Sequence, residues 1–274
     1  LKIDSKLTVH FDDGRWLEGP GYSVVGRYLL FSDIPNDRTL RLDEVSGRVA
    51  VFDQPSHFAN GRTFDALGRV VTCHHGSRSV TRTEHDGSET VIADAFEGRR
   101  LNSPNDVVVD SRGDIWFTDP TYGIMSDYEG HASEQEQPVR GVYRWRHETA
   151  RLELVVDGFD QPNGLAFSRD ESRLYVVDSE RNILAEISPA DGDRPPRVLA
   201  GDRGFDGIRV DAGGNIWAAT HAGVSCFDRD GVELLRFAVP ERVSNLTFGG
   251  PQGNVLYLTA TTSLYSVRTS VSGR

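Results

Sequence analysis

The chain has 274 residues, of which 38% are apolar, enough to bury a real core and to argue against disorder. Its formal net charge of -11, with no block of Lys and Arg to set against it, disfavours nucleic acid and anionic membrane as partners and leaves small molecules and cations. No apolar run approaches the roughly 20 residues of a membrane-spanning helix.

The N-terminal LKIDSKL has no signal-like apolar core. The two cysteines, Cys73 and Cys226, fit no metal or redox spacing and read as reduced packing residues. Together they point to a cytoplasmic location. From there on, short runs rich in Val, Thr, Tyr and Trp, broken every few residues by Gly and Asp, predict an all-β chain.

Six segments then align: EGPGYSVVGRYLLFSD from Glu18, NGRTFDALGRVVTCH from Asn60, NDVVVDSRGDIWFTD from Asn105, NGLAFSRDESRLYVVD from Asn163, DGIRVDAGGNIWAAT from Asp206 and NLTFGGPQGNVLYLT from Asn245. Each opens on a carboxylate or an amide, runs through a short strand, turns, and enters a second apolar strand. The turn carries Gly26, Gly68, Gly113, Gly214 or Gly253, and Ser172 in the fourth unit. The opening residues are 42, 45, 58, 43 and 39 positions apart. A period near 40 to 45 residues with four strand-like segments per unit is the signature of a propeller blade.

Six units predict a six-bladed β-propeller, one domain over residues 1–274. Segments such as LRLDEVSGRVAVFD and ILAEISPADGDRPPRVLA read as third and fourth strands joined by polar turns. The sixth unit lacks an outer strand, and residues 5–11, SKLTVHF, are expected to supply it. That closure removes the edges of an open sheet.

In a propeller the first strand of each blade lines the central channel, so Glu18, Asn60, Asn105, Asn163, Asp206 and Asn245 are expected at one height around the axis. Each Asn-Gly, Asp-Gly or Asn-Asp pair taken alone also reads as turn chemistry, Pro162, Asn163 and Gly164 among them. Six side-chain oxygens in one ring, with two carboxylates and no His or Cys, suit a hard divalent cation, Ca²⁺ first, with Mg²⁺ or Mn²⁺ behind it. The second strands return to the same face and place Asp33, His74, Asp119, Asp178, Thr220 and Thr259 at the mouth. The long third spacing comes from an insertion at 120–139, a candidate lid on that face. His74 and His75 stand there as possible acid or base groups, while Trp116 and Trp217 share one repeat position and read as blade packing.

The chain resembles the senescence-marker-protein and gluconolactonase (regucalcin-like) family of six-bladed propellers, and more closely its bacterial gluconolactonase-like branch. The resemblance rests on LEGP at 17–20, LLFSDIPNDR at 29–38, NSPNDVVVDSRGDIWFTDPTYG at 102–123, QPNGLAFS at 161–168 and FDGIRVDAGGNIW at 205–217. It implies hydrolysis of a sugar lactone with one divalent metal held at Glu18, Asn163 and Asp206, and Asn105 completing the metal or substrate shell. Zn²⁺ and Fe²⁺ also suit such a cage. Gly21, Tyr22 and His74 depart from the family pattern close to the expected pocket and bear on which substrate is taken.

Ester hydrolysis needs a polarised carbonyl and an activated water. Asp206 is the candidate general base and Asn105 the candidate donor to the developing oxyanion, with direct activation of the water by the metal as the competing route. Arg100, Asn102, Asp119, Tyr122 and His75, with Asp178, are the expected substrate shell beside Asn105. Two other readings stand beside the lactonase: a phosphotriesterase- or paraoxonase-like hydrolase using the same central metal, and a non-catalytic calcium-binding propeller. The polar mouth favours a sugar.

Overall fold

The structure, a computed structural model, describes residues 1–190 and 195–273; the polar turn expected at 191–194 lies outside the described residues. Six four-stranded antiparallel sheets follow one another along the chain. Blade I holds Leu17–Ser23, Tyr28–Asp33, Arg38–Asp43 and Val49–Asp53. Blade II holds Ala59–Phe64, Val70–His74, Ser79–Thr83 and Glu89–Ala93. Blade III holds Val107–Val109, Ile115–Thr118, Val142–Arg146 and Arg151–Val156. Blade IV holds Pro162–Phe167, Leu174–Asp178, Ile183–Ile187 and Arg197–Gly201. Blade V holds Ile208–Val210, Ile216–Thr220, Gly223–Phe227 and Glu233–Ala238. Blade VI takes Val243–Gly249, Val255–Ala260 and Leu264–Arg268 from the end of the chain and Thr8–Phe11 from its beginning. The molecule is a six-bladed β-propeller.

The core lies between blades. Val71, Cys73 and Val80 of blade II pack on Val107, Phe117 and Tyr143 of blade III, and Trp217 and Val224 of blade V pack on Leu246 and Leu256 of blade VI. Successive side chains on a strand point to opposite faces, and here both faces meet a neighbouring blade. The second strands are therefore buried from their second residue on, and throughout in IWFT and LYVVD. Each large apolar side chain so buried contributes about 1.5–3 kcal/mol. Both cysteines are free and buried in these layers.

The first-to-second strand turns repeat one device. Asp110 Oδ1 accepts the backbone N–H groups of Arg112 and Asp114, and its Oδ2 accepts the indole N–H of Trp116 at 3.2 Å. Asp211 does the same for Trp217, at 2.9 Å. Gly113 and Gly214 take the left-handed conformation that closes each turn, with φ of 85° and 84°. Both tryptophans are thus fixed blade packing, fully buried with their one polar atom satisfied.

At the other end of the inner strands, the Asn-Gly and Asp-Gly pairs are not turns. Pro162–Phe167 is one strand, and its register with Leu174–Asp178 shifts between Pro162 and Leu165. Matching irregularities fall between Glu18 and Gly21, Ala59 and Arg62, and Val243 and Asn245. A bulge re-aims the side chain at which it occurs, and each lies at or beside a residue of the expected ring. The following glycine is needed because neighbouring inner strands touch: a Cβ on Gly19 would lie 1.8 Å from the Asn60 carbonyl oxygen, and one on Gly164 2.6 Å from that of Asp206.

Candidate active site in the central channel

All six ring residues are buried, each 5% exposed or less. Two of them anchor the others. Asn245 donates from Nδ2 to Glu18 Oε2 at 3.1 Å and accepts the Leu246 N–H on Oδ1, so its amide is spent on orienting Glu18. The Gly19 N–H also donates to Glu18 Oε2, at 2.5 Å. Across the ring, the Asn163 amide donates to Asp206, whose Oδ2 also accepts from Arg242 at 3.3 Å.

The electrostatics follow from two acids held out of water. Burial, reinforced by the charge of Asp206, holds Glu18 well above the ordinary carboxylate range. Burial likewise pushes Asp206 up to about 7, against the opposing pull of Arg242. The buried Oδ1 atoms of Asn163 and Asn60 accept nothing from the protein. A buried polar atom without a partner is costly and calls for one. Among the described residues no group of three or more His, Cys, Asp or Glu side chains surrounds a common point, so the donors here are two carboxylates and amide oxygens. That set fits a hard divalent cation: it would neutralise the two acids and satisfy the orphaned oxygens.

The 120–139 insertion crosses the mouth from blade III. Its start is one helical turn, Tyr122–Met125. Thr121 and Gln161 bond each other, tying the turn to blade IV. The Tyr122 hydroxyl meets the side chains of Ser179 and Asn163 and feels the charge of Asp206; burial pushes it above the ordinary phenol value. Further along, the Glu129 carbonyl oxygen lies 3.0 Å from His75 Nδ1 of blade II, and the His131 ring meets Phe58 edge-on at 5.1 Å. The last part is pinned by Arg78 on Glu136 and by Gln137 on the Phe96 and Arg99 carbonyls.

With this geometry in place, a scan against protein-family models matches residues 16–262 to the SMP-30/Gluconolactonase/LRE-like region. The chain belongs to that family. Among its relatives is a gluconolactonase of Zymomonas mobilis, 30% identical over 303 positions that cover 100% of this chain and 84% of that protein. A pentonolactonase of Haloferax volcanii is 29% identical over 258 positions, covering 88% of this chain and 80% of its own. Among solved structures, a gluconolactonase of Xanthomonas campestris superposes with a TM-score of 0.91 at 35% identity, covering 97% of this chain and 89% of that one.

Against the SMP-30/gluconolactonase pattern, the residues expected to contact substrate divide. Asn105 is buried in the ring with only its backbone hydrogen-bonded, and Tyr122 stands at the mouth beside Asn163. The others are committed elsewhere. The Asp119 carboxylate accepts the N–H groups of Asn102 and Ser103, and Asn102 donates to the Asp119 and Val139 carbonyls, so this pair folds the entry loop. Arg100 is exposed, its guanidinium on the Ser77 carbonyl at 2.7 Å. Asp178 accepts the N–H groups of Asp160, Gln161 and Arg181, and Asp33 those of Arg15 and two side chains. These three aspartates are brackets, not a negative mouth.

His75 is also a bracket. Fully buried, it is pushed down to about 4 and stays neutral. Its Nδ1–H donates to the Glu129 carbonyl, so Nε2 accepts from Asn60 Nδ2 at 3.1 Å, which leaves Asn60 Oδ1 the unpartnered end of that amide. His74 is held between the Ser56 carbonyl and the Thr81 hydroxyl.

Tyr22, expected near the pocket, stands at the opposite end of the channel. There it bonds Glu44, stacks on Tyr257 and lines a cavity of about 740 Å³ with Tyr28, Phe64 and Phe167. The cations lining that cavity are already engaged, the buried Arg62 on Gly19 and Ser32 and the half-buried Arg209 on Asp106. Sequence reading missed Arg242, Trp16 beneath it and Glu129, all on the ring side. Arg242 stands just ahead of the sixth inner strand, Val243–Gly249, and three residues before the repeat position of Asn245, so the period does not mark it.

Proposed function

We propose that this protein hydrolyses a sugar lactone to its aldonic acid, using one divalent cation, Ca²⁺ first, held by Glu18, Asn163 and Asp206 with Asn105 beside it. The observation that carries this is the set of buried, incompletely satisfied oxygens on Glu18, Asp206 and Asn163 at one end of the channel, in a chain whose relatives are named gluconolactonase and pentonolactonase. When bound, the cation supplies Lewis-acid polarisation of the lactone carbonyl and a more acidic water.

The rest falls to the chain. Asp206, at the side of the bound cation, accepts the proton of the attacking water. The Asn105 amide donates to the carbonyl oxygen as negative charge develops on it. The carbonyl carbon–ring oxygen bond then breaks, and the ring oxygen leaves as the hydroxyl of the open acid, taking up the proton that Asp206 accepted from the water. Tyr122, its phenol kept protonated by burial, donates a hydrogen bond at the mouth. Glu18 is held in place by Asn245 and Gly19 throughout.

The test is lactone hydrolysis followed by acid release on glucono-, xylono- and galactonolactone, after chelation and after return of Ca²⁺, Mn²⁺, Zn²⁺ or Fe²⁺. Metal-restored turnover is expected, with Asp206→Asn lowering kcat/KM by about a thousandfold, in the range lost with a catalytic acid-base group. Turnover of phosphotriesters alone, or an Asp206→Asn variant as active as the parent, would overturn the reading.

A further inference from the structure

The end of the channel away from the ring holds an enclosure of its own. Tyr22, Phe64, Val108, Phe167, Arg209 and Phe248, one from each inner strand, line the cavity of about 740 Å³, and its rim carries the exposed Val24, Val25 and Leu67. Two arginines stand between it and the ring, since their partners Gly19 and Asp106 directly follow Glu18 and Asn105. Arg62 is buried, and its hydrogen bonds go to neutral oxygens only, the Gly19 carbonyl and the hydroxyls of Ser32 and Thr39. A Cβ on Gly21 would lie 3.0 Å from the Arg62 Cγ, so the bare residue at 21 makes room for that stem. Arg209 donates from Nη1 to Asp106 at 3.1 Å and to the Ile208 carbonyl at 2.7 Å, whereas its Nε and Nη2 donate to nothing among the described residues and are not sealed from solvent.

The single acid among the described residues of the cavity wall, Asp65, is paired with Arg69 at 2.7 Å, and Asp106 offsets Arg209. The charge of Arg62 is therefore left over, in an apolar enclosure of a chain whose net charge is -11. A buried cation without a counter-charge is costly, and a ligand that brings an anion offsets that cost. The open Nε–Nη2 edge of Arg209 is the pair of parallel donors that takes a carboxylate side-on through two hydrogen bonds. Aromatic walls and a volume in the range of small-molecule sites suit an apolar body behind that carboxylate, and exclude a polyhydroxylated one. We infer that this cavity is a second ligand site, separate from the ring, which takes a small amphipathic monocarboxylate with its acid group on Arg209 and its apolar body against Phe64, Phe167 and Phe248. The inference goes beyond the lactone reading of the ring and does not depend on it.

The probes are octanoate, octanamide, which keeps the apolar body and removes the charge, and acetate, which keeps the charge and removes the body. Binding is measured by calorimetry on the intact protein, calcium-loaded and after chelation, for the parent, Arg209→Gln and Leu67→Asp. Octanoate is expected to bind the parent about tenfold more tightly than either other probe, the weight of one charge-assisted hydrogen bond, and to do so with and without calcium. Arg209→Gln is expected to lower octanoate affinity about tenfold and to leave octanamide unchanged. Leu67→Asp, a change on the exposed rim that sets a negative charge at the entrance, is expected to lower octanoate affinity more than octanamide affinity. No binding of octanoate, octanamide bound as tightly as octanoate, or equal losses of both probes in Arg209→Gln would each overturn the assignment. Octanoate binding that vanishes on chelation would also overturn it, by placing the acid on the ring. If Arg209→Gln does not fold, Leu67→Asp decides, and an unchanged octanoate affinity there sinks the proposal.

Discussion

Two sets of buried acids share one face of this propeller and do different work. Asp33, Asp119 and Asp178 close the second strands of blades I, III and IV, and each carboxylate is filled by N–H groups of the loop that leads into its own blade. Glu18 and Asp206 open the inner strands of blades I and V, equally buried, yet neither is filled: one is steered by an amide and a glycine N–H, the other shares an amide and an exposed arginine. Burial does not separate structural from chemical acids here. Satisfaction does, because a carboxylate with a full set of backbone donors has nothing left to offer a ligand, whereas a half-satisfied one is an open valence.

The sharpest way to break that contrast is Asp178→Ala. Three backbone N–H groups lose their acceptor, so a loss of roughly 3 kcal/mol is expected, read as a thermal midpoint about 10 °C lower, while kcat/KM of the folded fraction stays within about threefold. A stable but inactive variant would move Asp178 into the site.

A smaller effect distinguishes the inner pair by pH. Without a cation, Asp206 at about 7 and the likewise raised Glu18 hold protons in the folded state that the unfolded chain, titrating near 4, has released. A raised folded pKa contributes stability that is full below about pH 4 and is lost as pH rises through about 7. Cation binding requires the deprotonated acids, so the rise in thermal midpoint on adding calcium should be about 5 °C larger at pH 8 than at pH 5. Equal shifts at both values would place the ion elsewhere.

The smallest change is expected at Arg100→Ala, within about 0.5 kcal/mol and twofold in KM, because that guanidinium is exposed and engaged with Ser77. A tenfold rise in KM would return it to the substrate shell.

Much of this was legible in the chain. Glu18, Asn60, Asn105, Asn163, Asp206 and Asn245 stand at one repeat position, and repetition alone places equivalent residues at one height around an axis. Other features were not legible, for reasons that differ. Asp119 and Asp206 look alike as letters, since the donors that fill Asp119 come from a loop 16 and 17 residues away and no spacing rule names them. Asn163–Gly164 reads as a turn because turns are the common use of that pair, whereas here the glycine admits a neighbouring strand. Glu129 sits in a polar insertion outside the repeat, so nothing periodic marks it.

The sequence by itself determined the six-fold repeat, the all-β blades and the ring of oxygens, because these depend on composition and period, which are local and recur. Tertiary structure alone decided which acids remain unsatisfied, which tautomer His75 holds, and which side chains of the insertion reach the channel. Those depend on donors and charges brought together from different blades, and a hydrogen bond between distant segments leaves no mark on the spacing of either.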